Sequence, residues 1–114
     1  MVGTNYRWDF PVIEKSPTKP ERTRISLKYL VCFEFGCSIN ELLTPRGASH
    51  IIDAKMVYAY LTRKHLNDTL QRIALELEFK EHTNVINLLQ RMQDIIFTKD
   101  ERAKRMERVE QLIF

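Results

Sequence analysis

Helix breakers are almost absent from the chain after its first twenty residues. Pro11, Pro17 and Pro20 stand at the amino end, and beyond them only Pro45, Gly36 and Gly47 interrupt the run to Phe114. Proline removes a backbone donor and clashes inside a helix, and glycine pays the largest backbone entropy there. Such a distribution predicts an extended arm over 1–21 followed by an all-α domain over 22–114. At 114 residues the chain is one domain of ordinary size, and 44% hydrophobic with 29% charged residues supplies a core without suggesting global disorder. The longest apolar runs are too short to span a bilayer, and the charged amino end, with Arg7, Asp9, Glu14 and Lys15, does not resemble a signal peptide. The expectation is a cytoplasmic protein.

Hydrophobic spacing divides the domain. Ile25, Tyr29, Cys32 and Phe33 keep helical spacing over about 22–35, with Gly36 as a left-handed stop. Ser38 and Glu41 have capping-box spacing and begin a short helix that runs to about Leu43. Residues 44–50 are expected to be a loop. A central helix follows over 52–65, with Val57, Tyr58 and Leu61 on one face. Residues 67–69 can cap a helix over about 70–78, whose stripe is Leu70, Ile73, Ala74 and Leu77. After a tight connection, the stripe Val85, Leu88, Leu89, Met92, Ile95 and Ile96 marks a longer helix over 81–97. Thr98 and Glu101 repeat capping-box spacing before a last helix with Ala103, Met106 and Val109 inward.

Two amphipathic helices joined by a few residues have the form of a helix-turn-helix. Opposite the stripe of the second helix lie Lys80, Thr83, Asn87, Gln90, Arg91 and Asp94, and its first turn carries Glu81, His82, Thr83 and Asn84. Amides, carboxylates and hydroxyls of this kind read base edges in a major groove. The same face also fits an ordinary solvated helix. Net charge is +3, from 18 basic and 15 acidic side chains, and residues 55–80 contribute +2 of it, so the charge permits DNA binding without requiring it.

The stretches Ala54-Lys55-Met56-Val57-Tyr58-Ala59-Tyr60-Leu61, Leu70-Gln71-Arg72-Ile73-Ala74 and Lys80-Glu81-His82-Thr83-Asn84-Val85 resemble the carboxy-terminal DNA-binding domain of the bacterial replication initiator DnaA over about residues 23–114. The resemblance implies a Trp-repressor-like helical fold that reads a short nonamer box. It also implies base contacts from Glu81, His82, Thr83 and Asn84, phosphate contacts from Lys55, Arg63 and Lys80, and a minor-groove arginine at Arg46. His82, Thr83 and Val85 match the family signature outright. Asn84 replaces a threonine, Asp53 and Ala54 replace basic and proline residues, and Glu78 and Phe79 stand where the family has glycines. No phosphate-loop motif occurs, so an ATP-driven motor is not expected in this chain.

Other chemistries find little support. Cys32 and Cys37 are expected to be structural rather than a disulfide framework or part of a metal site. His50, His65 and His82 lack ligand spacing. Glu76, Glu78 and Glu81 have no nucleophile or oxyanion donor beside them. The last helix alternates Arg102, Lys104, Arg105 and Arg108 with acids, which suggests a self-paired solvated face. Trp8 and Phe10 are expected to anchor the arm on the domain. The chain is therefore expected to bind double-stranded DNA with no cofactor, small-molecule substrate, membrane or catalysed reaction. The rival expectation is a protein-interaction module that keeps the fold without DNA binding.

Overall fold

The computed structural model describes residues 18–44 and 47–114. It contains six helices and, among those residues, no strand: α1 (Lys19–Phe35), α2 (Ile39–Leu42), α3 (Ser49–His65), α4 (Leu70–Glu76), α5 (Thr83–Thr98) and α6 (Glu101–Ile113). The all-α expectation holds. Helix α1 begins before residue 22 because Thr18 and Glu21 form a capping box that accepts Pro20 in the first turn, so 19–21 belong to the helix and not to the arm. Residues 1–17, with Trp8 and Phe10, lie outside the described residues. Gly36, at φ +72°, ends α1 in the left-handed conformation. The Ser38–Glu41 capping box starts α2 as expected.

The buried face of α1 differs from the one its spacing suggested. Leu27, Val31, Cys32 and Phe35 are buried, whereas Ile25, Tyr29 and Phe33 are exposed. This helix has apolar residues on both sides, and contact with α3 and α6 selects the first set.

Helix α3 is central, packing on α1 and α5 and touching α2, α4 and α6. It starts at Ser49, so Ser49 and His50 are helical rather than loop, and Ala48 provides no side-chain cap. Met56, Val57, Tyr58, Ala59 and Leu61 are fully enclosed. Each large apolar side chain so buried contributes roughly 1.5–3 kcal/mol. The stripe of α5 meets this core through Val85, Leu88, Met92 and Ile95, and α6 adds Ala103, Met106 and Val109. The cap of α6 is Asp100, which accepts from the Arg102 backbone N–H at 2.9 Å. Thr98, expected to cap it, is the last residue of α5 and donates its hydroxyl to the Asp94 carbonyl. Thr98 lies inside α5, two residues before the position that caps α6, so its hydroxyl serves its own helix.

Burial pushes the Cys32 thiol up to about 12 and raises that of Cys37, so neither ionises readily; both cysteines are free.

Candidate nucleic-acid interface

Two ion pairs tie α1 to the turn before α4 and to the end of α4. Arg24 forks onto the buried carboxylate of Asp68, with Nε donating at 2.9 Å, and Lys28 Nζ meets Glu76 at 2.8 Å. Thr69 then caps α4 by accepting from the Arg72 N–H. Helix α4 is shorter than its stripe implied, ending at Glu76 with Leu77 as cap. The Phe79 N–H bonds the Ala74 carbonyl at 2.8 Å and the Glu78 N–H bonds the Leu75 carbonyl at 3.2 Å. This is a Schellman closure, with its left-handed residue at Glu78, φ +59°. A glutamate thus occupies a backbone conformation that glycine would adopt without strain.

Because of that closure, Glu81 precedes α5, as Lys80 does, instead of standing in its first turn. His82 is the α5 N-cap residue and makes no side-chain cap bond. Val85 anchors the helix in the core, and Thr83, Asn84, Asn87, Gln90, Arg91 and Asp94 face solvent as expected. Among the described residues, no hydrogen bond or ion pair engages the side chains of Lys80 to Asn84, or of Asn87, Gln90 and Arg91. Their donors and acceptors remain available.

Three grooves meet around the start of α5. One, of about 360 Å³, is lined by Arg63, Thr69, Leu70, Gln71 and His82. A second, of about 330 Å³, runs from Gln71 and Leu75 past Lys80 and Glu81 to Thr83. A third, of about 180 Å³, lies between Ile52 and Lys55 on one side and Asn84, Asn87 and Arg91 on the other, with Phe79 and Leu88 also lining it. Glu81, His82, Thr83, Asn84, Lys80 and Arg63 therefore surround one helix end. Arg63 donates one N–H to the Asp68 carbonyl at 2.8 Å and keeps further donors for another partner. Arg46 lies outside the described residues. Sequence reasoning did not single out Gln71 or the exposed Leu75; their only signal was an outward position on the first helix of the pair.

Lys55 requires a correction. Only 1% exposed, it is not placed to meet a phosphate. Its ammonium donates to the Thr44 carbonyl and lies 5.1 Å from the centre of the Phe79 ring, where burial lowers its pKa below the ordinary lysine value. One buried side chain thus links the loop after α2 to the turn before α5.

Three of the four α6 cations reach other helices, and Arg102 also pairs with the cap of its own helix. Arg108 and Arg105 reach Glu34 of α1 at 2.9 and 3.5 Å, and Arg102 bridges Asp100 and Asp53 of α3. Among the described residues, no group of three or more histidine, cysteine or acidic side chains could hold a metal ion, and no helix is long and apolar enough to cross a membrane.

A helical core presenting α4, a tight turn and an open-faced α5 defines a helix-turn-helix domain of the DNA-binding class. The family model of the bacterial dnaA protein helix-turn-helix matches residues 26–92, from α1 through the exposed face of α5, and the chain belongs to that family. It is also 32% identical over 79 residues to the chromosomal replication initiator protein DnaA of Mycoplasma capricolum subsp. capricolum, a match covering 69% of this chain. The chain spans 17% of the length of that relative.

Proposed function

We propose that the chain binds double-stranded DNA sequence-specifically by laying the start of α5 in the major groove, in the manner of an initiator box-binding domain, and catalyses no reaction itself. Glu81, His82, Thr83 and Asn84 would meet base edges. Lys80 and Arg63 would meet phosphates, and Arg46 would enter the adjacent minor groove. Lys55 serves as a positioning residue that holds the loop next to Arg46. Such a protein would act at the nucleoid in the cytoplasm, in replication initiation.

The observation that carries this reading is the set of unengaged polar side chains at the start of a helix whose opposite face is locked into the core. Rigid support matters because a base contact discriminates only when its geometry is held. Capping supports it too. Thr18, Ser38, Thr69 and Asp100 cap their helices, whereas α3 and α5 begin without a side-chain cap. These two starts adjoin the loop with Arg46 and the His82-Thr83 signature. An uncapped N-terminus presents backbone N–H groups and a positive dipole end suited to a phosphate.

Selection of bound sequences from a random duplex pool tests the reading. The expected result is enrichment of one short motif, bound with a log–log salt slope of about −3 from Arg46, Arg63 and Lys80. Absence of any enriched motif would overturn it in favour of the interaction module.

A further inference from the structure

The outer face of α1 carries three large apolar side chains at successive turns, Ile25, Tyr29 and Phe33, which are 48%, 63% and 89% exposed. They lie opposite the face that packs on α3 and α6, and none of them is buried by the described residues, although Ile25 borders a groove shared with Arg72 and Glu76. We infer that this stripe is the docking site of the chain's own amino-terminal arm, with Trp8, Phe10 and Val12 lying along it antiparallel to α1.

Spacing is the first argument. Ile25 to Phe33 spans about 12 Å at the helical rise. Trp8, Phe10 and Val12 alternate, so an extended chain places them on one side over about 13 Å. Val12 then meets Ile25, Phe10 meets Tyr29, and Trp8 meets Phe33. Pro11 suits this path, because its fixed φ belongs to extended chain and it cannot continue a helix.

Reach is the second. Residues 1–17 join the domain at Thr18, the cap of α1. The six residues from Val12 to Thr18 can span about 20 Å, whereas Ile25 lies only about 10 Å along the helix from that cap, leaving slack for the reversal.

The choice of occupant follows from size and tethering. Three side chains on a single helix fall short of the roughly 1,000 Å² that a stable interface between two copies needs. A segment tied by a short linker acts at an effective concentration in the millimolar range, so a small patch suffices to hold it.

Trp8 is the only tryptophan, so its fluorescence reports on the arm alone. In the 114-residue chain, emission should be blue-shifted, protected from iodide quenching and independent of protein concentration. Tyr29→Ser with Phe33→Ser should move emission to the solvent position and restore quenching, with far-UV circular dichroism unchanged because both side chains lie outside the core. Phe33→Ala alone should produce part of that shift. Solvent-like emission in the unmodified chain would overturn the inference. So would a blue shift that survives both serines, which would place the arm elsewhere, or one that appears only as concentration rises, which would make a second copy the occupant.

Discussion

Helix α6 carries four cations, more than the turn and first half of α5, yet it is the poorer candidate for a phosphate surface. Arg102, Arg105 and Arg108 are held by Asp53, Asp100 and Glu34, and only Lys104 makes no ion pair among the described residues. Around the start of α5, by contrast, Lys80 and Arg91 have no carboxylate partner and the neighbouring amides, hydroxyl and imidazole have no hydrogen-bond partner. A paired arginine must give up its carboxylate before it gains a phosphate, whereas an unpaired donor gives up only water. Positive charge along the chain is therefore a poor guide to the interface, and unengaged donors on a rigid element are a better one.

The largest effects should separate the two regions directly. His82→Ala with Thr83→Ala should erase roughly 1–3 kcal/mol of discrimination per lost base contact, read as the ratio of specific to random-duplex affinity. Asn84→Thr should move the preference at a single base position. Arg105→Ala with Arg108→Ala should leave that ratio unchanged and instead lower the thermal midpoint slightly, because both arginines reach Glu34 at the solvent-exposed surface, where ion pairs are weak. Loss of specificity in the α6 variant would break the comparison.

Next come the backbones that lead into each helix. Glu78 precedes α5 and Lys99 precedes α6, both in the left-handed region at φ +59° and +56°. A side chain there costs roughly 1–2 kcal/mol, part of which glycine gives back in entropy. Glu78→Gly and Lys99→Gly should each stabilise the fold by about 1 kcal/mol in thermal melts. A change in DNA specificity with Glu78→Gly alone would show that the strain itself shapes the reading helix.

Lys55→Met sharpens the boundary of the interface. If Lys55 positions the loop without touching DNA, affinity for the selected site falls while the salt slope stays constant. A slope shallower by about 0.9 would return it to the phosphate contacts.

The smallest effect belongs to the cap of α6. Hydrogen bonds from the Arg102 guanidinium and backbone hold the Asp100 carboxyl at about 2, below its ordinary 3.8. A depressed carboxyl contributes stability that is present above the ordinary value and lost as pH falls through about 2. Acid titration of stability should therefore be flatter in this window for Asp100→Asn, with DNA specificity at neutral pH unaltered.

The sequence by itself determined the number and order of the helices, the Gly36 stop, the Ser38 and Thr69 caps, and which side of α5 faces out. These are local matters. A capping box closes within four residues, and α5 has a single apolar stripe that leaves one choice of inner face. Only the tertiary structure decided the inner face of α1, where two apolar sides compete and the packing of α3 and α6 settles it. It alone decided that Lys55 is buried, since a lysine's path depends on a carbonyl eleven residues earlier and a ring twenty-four residues later. It alone revealed that Glu34 and Asp53 engage the arginines of α6, since a cation's partner across the fold is invisible in the charge pattern of its own helix. Periodicity specifies faces, because a helix turns the same way wherever it sits. Partners are specified by which faces meet.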